Sequence, residues 1–183
     1  MEKKMAGKSA KRIAITGPES TGKSILSRQL AEYFGEPWAP EYSREYLATL
    51  DREYSFYDIL KIAKGQYNRE LQMLNKAKDY LFCDTDFLVT HIWCKVKYGA
   101  SHIWIEQMLE EKYYDFTLLC KNDLPWEYDP LRENPNDRDF LFELYLHELK
   151  SRSINYSVVD GTGIARLNNA IELLASRGIV RNQ

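Results

Sequence analysis

The clearest chemistry in this sequence lies in the eight residues from Gly17 to Ser24, which read GPESTGKS. This is the G-x-x-x-x-G-K-S pattern of a phosphate-binding P-loop. Its glycines let the backbone curl so that successive N–H groups point inward, and the helix that follows adds the positive end of its dipole. We therefore predict a nucleotide site in which Lys23 reaches the β- and γ-phosphates and the Ser24 hydroxyl ligates Mg²⁺. The residues assigned to nucleotide contact are Gly17, Glu19, Ser20, Thr21, Gly22, Lys23 and Ser24.

Three acidic residues are candidates for catalysis beside this loop. Asp84 ends the apolar run 80–83, where P-loop proteins place a carboxylate that holds Mg²⁺. If the chain stays extended through Thr85, Asp84 and Asp86 point to the same side, and one can serve the metal and the other a substrate hydroxyl. The alternative is that Thr85 or Asp86 caps the next helix. Glu41 follows a second extended stretch, where an acid can orient or deprotonate an acceptor hydroxyl. Spacing alone does not decide which of the three is the base.

A polar segment broken by prolines, residues 121–137, is too irregular for a helix or strand and long for a passive loop. We predict a lid that brings Arg132 to the transferring phosphoryl group, neutralises its charge and excludes water. Trp126 is the one aromatic residue that we assign to substrate stacking. Arg44, one helical turn after Glu41, either pairs with that acid or contacts the substrate. The alternative for the segment is an exposed loop whose charges only keep it soluble.

The elements that must position these residues alternate between short apolar runs and amphipathic stretches, which predicts an α/β fold. We expect a parallel β-sheet flanked by helices on both faces, with ligands at the carboxyl ends of its strands. Leu26, Leu30 and Tyr33 mark the buried face of the first helix, which Gly35 ends. The predicted strands are 12–16, a short one within 36–41, 80–83, 116–120 and 156–159; the predicted helices are 25–34, 42–47, 55–74, 87–98, 101–112, 140–150 and 164–174, with Ser55 and Asp58 as a capping box and Gly178 as the last cap.

The composition fits one globular domain of 183 residues, and we expect residues 1–11 to be a basic tail and residues 12–183 a single domain. The net charge of −2 argues against nucleic acid or an anionic membrane as the main partner. Three cysteines without a C-x-x-C pair argue against a disulfide framework or a zinc site, as in a reducing cytosol. The tail has no apolar core, so it is not a secretory signal, and we expect a cytoplasmic protein. The oligomeric state does not follow from the sequence.

Several of these stretches together resemble the NadR-type ribosylnicotinamide kinase domain of the P-loop nucleoside kinases. The resemblance implies ATP- and Mg²⁺-dependent phosphorylation of the 5′-hydroxyl of nicotinamide riboside, which gives nicotinamide mononucleotide. By that resemblance Asp84 or Asp86 engages metal or ribose and Arg132 belongs to the lid. We assign the acceptor side to Glu41, Tyr42, Arg44, Asp86, Trp126 and Asp129. The stretches that carry the resemblance are 17–24, 42–46, 84–86 and Pro125-Trp126 followed by Asp129 and Arg132.

Two departures from the family pattern leave the acceptor open. Bifunctional members carry an adenylyltransferase domain before the kinase, whereas about eleven residues precede the first predicted strand here, so we expect that activity to be absent. Pro130 stands where the lid motif is expected to have glycine, which should stiffen the lid. The alternatives are a kinase of another small metabolite, a regulatory ATP-binding module with little turnover, and, least favoured, a mechanochemical ATPase.

Overall fold

A twisted sheet of parallel strands forms the centre of the computed structural model, which describes residues 10–181. Within these residues the strands lie in the order β2-β3-β1-β4-β5, and every pairing is parallel. The predicted α/β class is confirmed. Their bounds are β1 Lys11–Thr16, β2 Trp38–Ala39, β3 Tyr80–Asp84, β4 Phe116–Cys120 and β5 Tyr156–Val159.

Helices cover both faces of this sheet because its three central strands, β1, β3 and β4, bury side chains on both sides. On one face, two helices pack over Ile13, Ile15 and Leu118. On the other face, four helices, which are α3 to α6 in the list below, form a second core around Phe87, Ile105 and Leu149. The helices are α1 Lys23–Phe34, α2 Ser43–Ala48, α3 Phe56–Leu74, α4 Phe87–Tyr98, α5 Ile103–Glu110, α6 Arg138–Ser151 and α7 Gly163–Ala175, with α1 and α7 on the first face.

The predicted caps of α3 and α1 are confirmed, whereas one buried position of α1 and the end of α7 differ from the prediction. Ser55 and Asp58 form the expected capping box of α3, and Gly35 ends α1 in the left-handed conformation with φ 68°. Tyr33 does not share the buried face of α1; it is 39% exposed, and Phe34 occupies the core in its place. The last helix ends at Ala175, before the predicted cap at Gly178.

The first strand starts one residue earlier than predicted. The N–H of Lys11 donates to the carbonyl of Asp79 at 2.8 Å, and Lys11 stands in register with Tyr80 of β3. Residues 1–9 of the predicted tail lie outside the described residues. In the described chain, no helix is both long and apolar enough to cross a membrane.

Candidate active site

The P-loop connects β1 to α1 and lies against the end of β4. Gly17 has φ 135°, and a Cβ atom there would stand 2.7 Å from the carbonyl oxygen of Cys120, so only glycine fits. Gly22 precedes α1 with φ 76°, and Ser20 has φ 56° although it is not glycine. Such backbone angles turn successive N–H groups toward one centre, which is what anion binding requires.

Lys23 is folded into the mouth of this loop. Its ammonium donates to the carbonyl oxygens of Gly17 at 2.9 Å and Pro18 at 2.7 Å. The buried Thr21 hydroxyl also donates to the carbonyl oxygen of Pro18, at 2.8 Å, and so links two residues within the loop. Both hydrogen-bond partners are neutral carbonyls, and Lys23 interacts with the charges of Asp84 and Asp86 only at longer range, so its ammonium is available for a phosphate.

Asp84 ends β3 beside the first turn of α1 and is almost fully buried. Burial raises the pKa of its carboxyl to about 6, the charge of Glu41 adds to the rise, and Ser24 and Lys23 oppose it. Its Oδ1 atom is buried and has no hydrogen-bond partner among the described residues. A buried acceptor without a donor, next to a serine hydroxyl and a lysine, has the chemistry of a Mg²⁺ site.

Asp86, unlike Asp84, lies on the wall of the cavity described below, and the chain between the two aspartates is not extended. Thr85 between the two aspartates has φ 72°, so the condition for a shared side fails, and the helix-cap interpretation of Asp86 is the one that the structure shows. Its Oδ1 accepts from the N–H of Val89 at 3.0 Å and from the Thr16 hydroxyl at 2.8 Å. Burial raises the pKa of Asp86 to about 6, against these hydrogen bonds and the charge of Lys23.

The acid predicted after β2, Glu41, also faces the cavity, at the start of α2. The hydroxyl of Ser43 donates to its Oε1, and Arg44 lies 3.7 Å from its Oε2. Arg44 also pairs with Asp129 of the predicted lid at 2.7 Å. Tyr42 is not on the cavity wall, because its ring is turned against α3. Of the two predicted options for Arg44, the structure shows the pair with Glu41, and contact with the substrate stays a prediction.

Residues 121–137 form neither helix nor strand and lie over the P-loop. The carboxylate of Glu19 accepts the N–H groups of Glu133 at 3.1 Å and Asn134 at 3.0 Å. The hydroxyl of Ser20 accepts from the N–H of Glu127 at 2.9 Å and from Arg132 at 3.2 Å. The side chains of Glu19 and Ser20, assigned to the nucleotide from sequence, therefore hold the lid segment.

The predicted stacking residue Trp126 lies outside the cavity wall. The guanidinium groups of Arg132 and Arg138 each lie 5.9 Å from the centre of its ring. Arg138, the first residue of α6, donates to the carbonyl oxygens of Ser20 and Leu124. Trp126 thus packs against the two arginines that hold the lid segment on the P-loop.

One cavity of about 490 Å³ joins the P-loop, Glu41, Asp86 and Arg132. Its wall away from the P-loop is mainly apolar and aromatic, as small-molecule sites are. Sequence reasoning missed this wall, because its residues read as ordinary core positions of amphipathic helices. They include Ile62, Gln66, Phe87, Trp93, Leu141 and Tyr145. Among residues 10–181, no group of three or more His, Cys, Asp or Glu side chains could by itself hold a metal ion.

Comparisons with known proteins agree with this geometry. Residues 12–166 match the model of a family described as an AAA domain. The protein called "Trifunctional NAD biosynthesis/regulator protein NadR" is 33% identical over 153 residues in Salmonella typhimurium and over 156 residues in Escherichia coli. These alignments cover 79% and 81% of this chain but only 37% and 38% of the relatives. The resemblance to NadR inferred from the motifs is confirmed.

Solved structures show the same fold at lower identity. NadR in complex with NAD and AMP-PNP has a TM-score of 0.73 at 22% identity, over 96% of this chain and 51% of that chain. NadR in complex with NR gives the same TM-score and identity, over 96% and 54%. A deoxyadenosine kinase from M. mycoides has a TM-score of 0.62 at 16% identity, over 90% and 99%.

Proposed function

This chain belongs to the AAA domain family, and from that premise we propose that it is a small-molecule kinase that transfers the γ-phosphoryl group of ATP to a hydroxyl of a nucleoside. We propose nicotinamide riboside as the acceptor, with its 5′-hydroxyl phosphorylated to give nicotinamide mononucleotide. The observation that carries the proposal is one cavity whose wall includes the P-loop, the acids Glu41 and Asp86, and the lid arginine Arg132.

Each side chain has a distinct task in this proposal. Lys23 and the loop N–H groups bind the β- and γ-phosphates, and Arg132, held over Ser20 by the lid, neutralises charge on the transferring group. Glu41 orients the acceptor hydroxyl and takes its proton, and Asp86 contacts the ribose. The lid keeps water away from the phosphoryl group, which limits wasteful hydrolysis.

Magnesium fits the donor set at the loop. Ser24 and Asp84 would hold it, because a serine hydroxyl and a carboxylate oxygen without a protein donor are both hard oxygen ligands. A bound Mg²⁺ keeps several waters and phosphate oxygens, so two protein ligands suffice. When bound, it supplies positive charge against the phosphates.

The charges of the cavity favour an acceptor without a phosphate group. Among the described residues, four cationic side chains line the cavity, and two of them, Lys23 and Arg132, lie at the P-loop. The other two are paired: Arg44 with Asp129 at 2.7 Å and Lys97 with Glu133 at 3.0 Å. An acceptor phosphate would find no uncompensated cation there, whereas the cationic pyridinium ring of nicotinamide riboside suits the acids. The likeness to NadR, solved with NR, supports the same choice.

The test is ADP release from MgATP with nicotinamide riboside, adenosine, uridine, dTMP or no acceptor. We expect strong stimulation by nicotinamide riboside, none by dTMP, and nicotinamide mononucleotide as the product. Lys23→Ala should abolish turnover, and the surface variant Glu172→Ala should not change it. Preference for another nucleoside would keep the reaction and change the acceptor. Bound ATP without stimulation by any acceptor would contradict the kinase proposal and favour a regulatory module.

A further inference from the structure

The peptide units on both sides of Glu41 are held by one face of α3. The side chain of Arg69 donates to the carbonyl oxygen of Glu41 at 3.2 Å and approaches that of Pro40 at 3.5 Å. The Oε1 atom of Gln66, one turn earlier, accepts the N–H of Tyr42 at 2.9 Å. The backbone of the candidate base is therefore fixed before and after its side chain.

Gln66 also contacts the end of β3, where Asp84 lies two residues before Asp86. Its Nε2 donates to Glu70 at 3.0 Å and lies 3.4 Å from the carbonyl oxygen of Asp84. The side chain is 3% exposed and forms part of the cavity wall. A neutral carboxamide is the side chain that accepts from one backbone group and donates to two oxygens at once.

A second, independent feature of α3 makes room for Tyr42. Gly65 lies in the middle of the helix, and a Cβ atom there would stand 2.0 Å from Cε1 of the Tyr42 ring. The Arg69 guanidinium lies 4.9 Å from the centre of the same ring, on another side. Gly65, Gln66 and Arg69 thus form a seat, which we call the α3 seat, for residues 40–42.

We propose that Gln66 is a positioning residue that sets the distance between Glu41 and residues 84–86 at the end of β3, which include Asp84 and Asp86. This inference rests on the proposed function, because the distance matters only if Glu41 and these acids act on one acceptor. Gln66 itself needs no contact with the reacting atoms. A misplacement of a catalytic group by about 1 Å can cost on the order of 100-fold in rate, so one lost amide can have a large effect.

The main test is Gln66→Met, which keeps the volume and removes the hydrogen bonds. We expect kcat to fall about 10- to 100-fold, while KM for ATP stays within about twofold because the P-loop is untouched. Gln72→Met, on the exposed side of the same helix, is the matched control and should retain full activity. A kcat within twofold of wild type, or an equal change in KM for ATP, would overturn the proposal.

The conservative variant Gln66→Glu distinguishes a positioning role of Gln66 from a role in core packing only. Its carboxylate still accepts the N–H of Tyr42 but, when ionised, cannot donate to Glu70 or to the carbonyl of Asp84. We expect its kcat to exceed that of Gln66→Met at least about fivefold, as a restored hydrogen bond of about 1 kcal/mol predicts. Equal kcat for both variants at equal thermal stability would show a packing role only.

A measurement without turnover keeps this inference separate from the proposed function. Tyr42 precedes the first residue of α2, so among the described residues its N–H has Gln66 as its partner. Amide hydrogen exchange at Tyr42 should be slow in wild type, at least about tenfold faster in Gln66→Met and slow again in Gln66→Glu. If wild type phosphorylates no acceptor, the proposed function fails, yet fast exchange in Gln66→Met would still support the seat. Unchanged exchange would refute it.

Discussion

At the scale of single residues, the site carries an acid that costs stability. Asp84 is buried beside Glu41, and burial raises its pKa to about 6. Its ordinary value in an unfolded chain is near 4, so the folded state binds the proton more tightly. The free energy of unfolding therefore falls as pH rises from about 4 to 6, and the whole destabilisation by the ionised Asp84 is present at neutral pH. A group kept at such a cost is a candidate functional residue.

Asp84→Asn should therefore abolish turnover and stabilise the protein. At pH 7 we expect a gain on the order of 1–3 kcal/mol in unfolding free energy, because the buried charge is removed. At pH 4 the gain should disappear, since the wild-type carboxyl is then protonated in the folded state. Urea unfolding at both pH values, with an activity assay, measures this. Near-normal activity would contradict the assignment of Asp84 to the metal.

At the scale of elements, the lid and the P-loop depend on each other. The carboxylate of Glu19 accepts two lid N–H groups, and the Ser20 hydroxyl accepts a third and contacts Arg132. These bonds hold the lid segment over the P-loop, where we propose that it separates the phosphoryl group from solvent. The stiffening expected from Pro130 is consistent with a segment held at several points, but its dynamics remain a prediction.

Glu19→Ala should uncouple ATP hydrolysis from transfer. Two charge-assisted hydrogen bonds of about 1.5–3 kcal/mol each are lost, so the lid spends more time open. We expect the ratio of hydrolysis to acceptor phosphorylation to rise on the order of tenfold. ADP and phosphate release with and without acceptor gives this ratio, and Glu172→Ala serves as the surface control. An unchanged ratio would show that these bonds do not control the lid.

The contact between Gly65 and Tyr42 in the α3 seat predicts that Gly65→Ala has opposite effects on stability in the wild type and in the Tyr42→Ala variant. In wild type, Gly65→Ala should destabilise the protein by about 1–3 kcal/mol, because the new methyl group displaces the Tyr42 ring. In Tyr42→Ala, the same change should stabilise by up to about 1 kcal/mol, since alanine is the better helix former. Thermal or urea unfolding of the four proteins tests this. Equal effects in both backgrounds would contradict the contact.

At the scale of the whole molecule, buried acids of two kinds act in opposite directions on stability. Burial raises the pKa of Glu70 to about 8 and those of Asp84 and Asp86 to about 6. Hydrogen bonds from Arg52 and Ser55 lower the pKa of Asp58. Glu70, Asp84 and Asp86 destabilise the fold as pH rises above about 4. Asp58 stabilises the fold above about pH 4, and this stabilisation is lost as pH falls below that value.

Below about pH 6.5 the lowered pKa of buried His91 opposes the raised pKa values of these acids, because the unfolded chain then binds the proton more tightly. Above that pH, Glu70 still loses its proton in the folded state, so we expect the melting temperature to fall from about pH 6.5 to pH 8. Glu70→Gln should flatten the curve between pH 6 and 8 and raise stability at pH 8 on the order of 2–4 kcal/mol. Glu172→Gln should change nothing. A flat wild-type curve from about pH 6.5 to pH 8 would refute the argument.

The fold class and the loop chemistry were predictable from sequence because both depend on local patterns. The spacing of Gly17, Gly22 and Lys23 specifies the loop, and apolar runs ending in acids predict parallel strands whose carboxyl ends share an edge. The positions of Asp84 at the end of β3 and of Glu41 after β2 were therefore predicted correctly, and their roles stay predictions. Tyr33 was misassigned because helical spacing allows either Tyr33 or Phe34 on the buried face, and only packing selects between them.

Tertiary structure alone decided which side chains meet. The left-handed Thr85 turned Asp86 into a helix cap, a choice that a two-residue spacing cannot reveal. The partners of Glu19 lie more than a hundred residues away in the lid, and Gln66 reaches Tyr42 from another helix. These contacts join elements that are distant in the chain, whereas periodicity and motifs record only near neighbours. Sequence thus determined the chemistry available at the sheet edge, and the packing of α3 and the lid determined how it is arranged.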